Sequence, residues 1–214
     1  ETYKNGAFKS KKIPALILKT HSVGTSIMDR DKILAKIDQI RSTVTGTLPN
    51  IYLLHGEVTD EEMADLYNHP KVKAYVSHTK GEGFGRPLLE FAATGKPVIA
   101  SGWSGQIDFL NREDSILLGG TLQKVHPSAV LKNMITKEAL WFRPNDSDVS
   151  KAYKQVTKHY KKTQEGAKRQ AHKIKNNFTF DKMVELLDKT LDNNLPEFPK
   201  EIKLTLPKLE LPKL

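Results

Sequence analysis

The chain contains no cysteine, which excludes disulfides and thiolate metal sites and suits a cytoplasmic protein. No apolar run is long enough to cross a bilayer, and no signal-peptide pattern opens the sequence. The histidines, among them His55, His69, His78, His126 and His159, supply no H-x-x-x-H pair. Most of them read as ordinary loop or strand-end residues, and no metal site is expected. Acidic residues are the scarcer charge: 25 Asp and Glu stand against 34 Lys and Arg, a formal net charge of +9. Such an excess favours acidic partners, whether a nucleoside diphosphate, an anionic lipid or a nucleic acid. Much of it lies in Lys151 to Lys175, on what reads as the outside of helices. A solvated helix face accounts for it most simply. Nucleic acid is disfavoured because no aromatic residues interleave with the charge, and an anionic membrane surface stays open as a partner.

With 214 residues, 38% of them hydrophobic, the chain can bury the core of one globular domain. It is organised around the stretch from Ala74 to Leu110, AYVSHTKGEGFGRPLLEFAATGKPVIASGWSGQIDFL. The short apolar runs Ala74–Ser77 and Val98–Ser101 have the character of parallel strands buried on both faces. Between them Pro87 suits a first helical turn and Gly95 a helix end, which predicts a helix from Pro87 to Thr94. Two glycine loops therefore leave the carboxyl ends of two parallel strands, where open α/β sheets bind ligands. The first, Gly81-Glu82-Gly83-Phe84-Gly85-Arg86, is glycine-dense as a backbone must be when something approaches it closely. The amino-terminus of the helix behind it suits a phosphate or a sugar hydroxyl. Glu82 and Glu90 are separated by seven residues, so both carboxylates can face one cleft.

At these residues the sequence resembles the retaining GT-B glycosyltransferases with an E-x7-E motif, the large family 4 group above all. Glu82 and Glu90 match that motif, and Gly83-Phe84-Gly85 followed by Pro87-Leu88-Leu89-Glu90 resembles the family's "EGFG.P.LEA" core. Gly95-Lys96-Pro97-Val98-Ile99-Ala100-Ser101 is similar to "GKPV(I/V)AS", and Ser104-Gly105 with Asp108 to the "GG..E" turn. The ordered series is far more specific than a lone pair of glutamates, although Glu90 by itself could serve only the helix dipole.

Along the rest of the chain, strands are expected near 15–20, 51–55 and 115–118, in addition to 74–77 and 98–101. Helices are expected from Asp29 to about Val44, with Ile33, Ile37 and Ile40 on one face, and from Thr59 to Asn68, where Thr59 and Glu62 form a capping box. Beyond the central stretch, Ser128 would cap a helix to about Glu138, and Trp141-Phe142-Arg143-Pro144 resembles the hydrophobic-x-Pro turn that members of that family place before their last helices. Three more helices follow: from Asp146 through Tyr160, from Thr163 to Asn176 and from Asp181 to Asp192. This alternation predicts a Rossmann-like α/β domain over residues 1–194, a mostly parallel sheet with helices on both faces. Residues 1–12 read as the basic tail of a helix. Residues 195–214, LPEFPKEIKLTLPKLELPKL, carry four prolines and read as an extended tail without chemistry.

The resemblance implies transfer of a glycosyl unit from a nucleotide sugar, such as a UDP- or GDP-sugar, to an acceptor hydroxyl with retention and without a metal or other cofactor. Glu82 would hold the sugar hydroxyls, with His78 beside it where the strand ends. The amides of Gly83, Phe84 and Gly85 would position the ring, Glu90 would bind ribose, and Ser104 and Gly105 would offer amides to the diphosphate. Family members carry an Arg and a Lys for the diphosphate after the first strand of this domain, a strand expected upstream of Glu1; Arg86, Lys80 and Lys19 are the substitutes within the chain. A complete GT-B enzyme needs nearly twice this length, so an upstream amino-terminal GT-B domain is an expected partner, and the 214 residues alone are expected to bind nucleotide without turnover. The acceptor, whether glycan, lipid or protein, is not legible. The alternatives are a non-catalytic nucleotide- or sugar-binding module derived from such an enzyme, and, more weakly, a GT-B nucleotide-sugar epimerase.

Overall fold

The computed structural model describes residues 14–21, 26–46 and 48–196. The expected helix tail over 1–12 and the tail from 197 onward lie outside them. The chain forms two compact units, Glu1–Asn176 and Asn177–Leu214.

In the first unit, five short strands form at the expected apolar runs and pair in parallel within two separate ladders. β1 (Leu16–Lys19) pairs with β2 (Ile51–Leu54), in register from Leu16 opposite Ile51 to Lys19 opposite Leu54. β3 (Tyr75–Ser77), β4 (Val98–Ser101) and β5 (Ile116–Leu118) form a separate three-stranded ladder with β4 in the middle. The division follows burial. All four residues of β4 are buried, whereas Leu16, Ile17 and Tyr52 on the outer pair remain exposed. Alternation along β4 sends Val98 and Ala100 into one apolar cluster with Phe91, Leu88 and Tyr67, and Ile99 into another with Leu118, Ala152 and Val156. Helices thus cover both faces of this sheet, α3 (Arg86–Ala92) one and α4 (Asp146–Lys158) the other.

α1 (Ile27–Ser42) is capped by Ser26, whose side chain accepts from the Asp29 amide. Of the expected apolar face, Ile33 and Ile37 are half-buried and Ile40 is exposed. α2 (Asp60–Asn68) carries the predicted capping box in full, with Thr59 and Glu62 satisfying each other's amides.

One region differs from expectation. Residues 128–138 form no α-helix, and Trp141–Pro144 is no turn. β6 (Gly120–Lys124) and β7 (Leu140–Pro144) make an antiparallel hairpin, in register from Gly120 opposite Pro144 to Lys124 opposite Leu140. Ser128 lies in a short 3-10 turn capped by His126, whose ring nitrogen accepts from the Ser128 amide. The apolar residues Val130, Leu131 and Met134 stay exposed, so a helix there would have no core to bury its face against.

α5 (Tyr160–Asn177) is anchored through Asp114, whose side chain is only 2% exposed and is held by Arg169 and Lys173, each at 2.8 Å. Burial pushes the Asp114 carboxyl up, but hydrogen bonds from Lys173, Asn111 and Arg169 outweigh it and hold its pKa below the ordinary value. Two of the basic residues that read as solvated surface are therefore structural. In the second unit, α6 (Phe180–Asn194) is capped by Thr179 and has no buried residue.

Candidate active site at the two glycine loops

Both loops leave the carboxyl ends of adjacent parallel strands, the first after β3 and the second after β4. They are joined directly to each other. The Glu82 amide donates to Ser104 Oγ at 3.0 Å, while the Glu82 carbonyl accepts from Ser104 Oγ at 2.6 Å and from the Gly105 amide at 3.0 Å. Gly105 is required by this contact, since a Cβ there would lie 2.0 Å from the Gly83 carbonyl oxygen. Ser104 adopts φ +73°, a conformation few non-glycine residues take. Two glycines serve conformation: Gly85 caps α3 at φ +89°, and Gly95 turns the chain behind it at φ +74°. Gly81 and Gly83 are different, for a Cβ at either would meet no atom within 4 Å.

The side chains of the two glutamates have different surroundings. Glu82 is half-buried, and its carboxylate has no protein partner among the described residues. Glu90 Oε1 accepts from Arg86 Nε at 2.6 Å, an i,i+4 pair along α3. Both charges reach one neighbour. Burial raises the pKa of the Tyr75 phenol, and Glu82 and Glu90 both add to the rise. Tyr67 is pushed up to about 12 by burial, then by Tyr75 and Glu90. The two carboxylates therefore both lie within electrostatic reach of Tyr75.

His78 follows β3 directly, with its ring edge-on to Tyr153 at 6.2 Å between centroids. Partial burial of the imidazole lowers its pKa, so it is neutral at pH 7. Phe84 projects from the first loop, 42% exposed, and tilts against Phe109 at 5.2 Å. Of the three cations that could stand in for the missing diphosphate ligands, Arg86 is on Glu90, Lys80 lies over the Trp141 ring at 4.9 Å, and Lys19 donates to the Gly56 carbonyl at 2.6 Å. The Gly105 amide, an expected diphosphate donor, is spent on Glu82.

Two features escaped the sequence reading. Gln106 is fully buried between the loops, where Nε2 donates to the Ser101 carbonyl at 2.8 Å and Oε1 has no donor. The hairpin reaches the first loop as well, because the Phe142 amide donates to the Lys80 carbonyl at 3.0 Å. Pattern alone gives no signal for either. Two Asp-x-Asp pairs also occur, a spacing that can offer oxygens to a divalent cation. Three of the four carboxylates are taken up elsewhere: Asp29 by His55 at 2.9 Å, Asp31 by Arg30 and Asp148 by Asn145 and Lys151. Among the described residues no group of three His, Asp or Glu is placed to hold a metal. Nor is any described helix long and apolar enough to cross a membrane.

Two surface cavities lie away from the loops. One, of about 280 Å³, is at the start of α4 beside the hairpin; the other, of about 390 Å³, is at the junction of α4 and α5.

Residues 47–135, less than half of the chain but including both loops, match the family model "Glycosyl transferases group 1". No curated protein sequence matches the chain. Among solved structures it is similar to sucrose-phosphate synthase from Thermosynechococcus elongatus, with a TM-score of 0.56 and 17% identity over 83% of this chain. The match spans only 39% of that protein. The stretch that carries both glycine loops is thus similar to the group 1 glycosyl transferases, and it sits in a Rossmann-like fold of the GT-B kind.

Proposed function

We propose that this chain is the donor-binding domain of a retaining, metal-independent glycosyltransferase of the E-x7-E, family 4-like group. The observation that carries the reading is Glu82: its backbone is fixed by three hydrogen bonds to the second loop, while its half-buried carboxylate is left without a protein partner at the end of a parallel strand. A partnerless carboxylate on a locked backbone is pre-organised to accept hydrogen bonds from hydroxyls of a bound ligand. In the reaction, the bond from the anomeric carbon to the diphosphate oxygen breaks as the bond to the acceptor oxygen forms on the same face. The acceptor hydroxyl gives up its proton, and charge builds on the departing diphosphate. Stabilising that charge is the largest demand on the site. Neutral His78, at the foot of the first loop, is suited to accept a hydroxyl proton or hydrogen bond. The Gly83 amide, where no Cβ intrudes, faces the ring, and Glu90 binds ribose hydroxyls through the oxygen that Arg86 leaves. Because the Gly105 amide is engaged, Arg86 and Lys80 become the cations for the diphosphate. The donor is a UDP- or GDP-sugar. The acceptor site would be supplied by an amino-terminal GT-B domain.

The alternative, a sugar- or nucleotide-binding module without turnover, is favoured by one observation, the closed Arg86–Glu90 pair. Calorimetry on two variants tests the assignment. Glu90→Gln should weaken free nucleotide and nucleotide sugar alike, by roughly ten- to a hundredfold for a lost hydrogen bond to a charged group. Glu82→Gln should weaken the nucleotide sugar and leave the free nucleotide nearly unchanged. Equal losses for the free nucleotide in both variants would refute these roles.

A further inference from the structure

Trp103, in the second loop between Gly102 and Ser104, is 42% exposed. Its indole lies nearly parallel to the Phe142 ring, with centroids 6.2 Å apart and planes 7° apart. The mounting is rigid on both sides. The Gly102 amide donates to the Leu118 carbonyl at 2.9 Å, and a Cβ at Gly102 would crowd that same oxygen. On the other side Ser104 is bonded to the Glu82 backbone through its hydroxyl. Phe142, which backs the indole, is itself tied to Lys80 at the start of the first loop. A flat apolar surface, supported from behind and one residue from the Ser104 that bonds the Glu82 backbone, is therefore held out in water on the loop that clasps the donor loop.

Keeping so much apolar area exposed forfeits about 25 cal/mol for each Å² that burial would gain, which a stacking ligand would recover. The neighbouring chemistry selects the ligand. A pyranose ring has an apolar C–H face for the indole and a rim of hydroxyl donors for the partnerless carboxylate of Glu82. A nucleobase could stack but has no comparable rim of hydroxyls. We propose that Trp103 is a binding platform for a pyranose ring whose hydroxyls are held by Glu82. This rests on the reading of Glu82 given above. The ring belongs either to the donor's glycosyl unit or to a sugar acceptor.

The chain has two tryptophans, Trp103 and Trp141, so Trp141→Phe leaves Trp103 as the fluorescent reporter while keeping a ring under Lys80. This variant would be titrated with UDP, GDP, UDP-glucose, GDP-mannose, maltose and mannobiose. Its emission should respond to a nucleotide sugar or a disaccharide, and not to free nucleotide. A response to the nucleotide sugar places the donor's ring on Trp103, and a response to a disaccharide alone places the acceptor's. Calorimetry should show Trp103→Ala weakening the sugar-bearing ligand by about three- to tenfold, the range of an aromatic stacking contact. Trp103→Phe should regain most of that loss, with far-UV circular dichroism unchanged in both. Equal sugar affinity in wild type and Trp103→Ala overturns the inference, as does equal quenching by free nucleotide or the absence of binding by every probe. If wild type binds nucleotide sugar and Trp103→Ala binds it equally well, this inference alone fails. If wild type binds no nucleotide in any form, the donor-domain reading fails, and the disaccharides still decide Trp103.

Discussion

Replacing Gly105 with alanine would set a Cβ 2.0 Å from the Gly83 carbonyl oxygen, 2.6 Å from its carbon and 2.8 Å from Phe84 Cα. All three are backbone atoms, so no side chain can swing aside and the loops must part. Carbon and oxygen in contact settle at roughly 3.3–3.6 Å, so relief needs a movement of more than about 1 Å. That movement stretches the bonds from the Gly105 amide and Ser104 Oγ to the Glu82 carbonyl. Each is worth about 1 kcal/mol net, and forcing atoms into a packed site adds about 1–3 kcal/mol, so the expected loss is about 3–5 kcal/mol. For a urea slope of about 2 kcal/mol/M, the unfolding midpoint should fall by about 1.5–2.5 M. Gly81→Ala is the matched control: its Cβ would meet nothing within 4 Å and its φ is not positive, so its stability should stay within about 0.5 kcal/mol of wild type. Urea unfolding followed by tryptophan fluorescence measures both. If Gly105→Ala unfolds at the same urea concentration as Gly81→Ala, the two loops are not clasped through this contact.

Two further outcomes depend on pH. Asp114→Asn should lose about 1.5–3 kcal/mol at neutral pH, since it removes the charge that Arg169 and Lys173 hold. The folded pKa of Asp114 lies below its ordinary value, so its stabilisation is complete above about pH 4 and fades as the pH falls through the folded value; the gap between variant and wild type should narrow in acid, and a widening gap would refute the assignment. His78 should titrate below its ordinary value of about 6.5 in an NMR titration of its ring protons, because burial disfavours the imidazolium. The unfolded chain then takes up the proton more readily, so stability should drop as the pH falls below about 6.5, and a midpoint at or above 6.5 would remove the argument for a neutral imidazole at pH 7.

Much of the architecture follows from local sequence. A run such as Val98-Ile99-Ala100-Ser101 has no polar face to show water, so it had to become a strand covered on both sides, and β4 is buried throughout. Thr59 and Glu62 cap each other within one turn, which makes the start of α2 a property of a few residues. The parallel pairing of β1 with β2 and of β3 with β4 follows from the helix between the members of each pair. The hairpin was not legible, since residues 120–144 carry short mixed runs whose pairing depends on partners about twenty positions apart. Nor could sequence sort the glycines, which look alike as letters: Gly85 serves φ, Gly105 a backbone approach, and Gly81 and Gly83 neither. The two glutamates are equivalent in spacing and become distinct only in space. Glu90 finds Arg86 one helical turn away, a contact set by helix geometry. Glu82 is fixed by Ser104, twenty-two positions on, and only the packing of β3 beside β4 brings those loops within hydrogen-bonding distance.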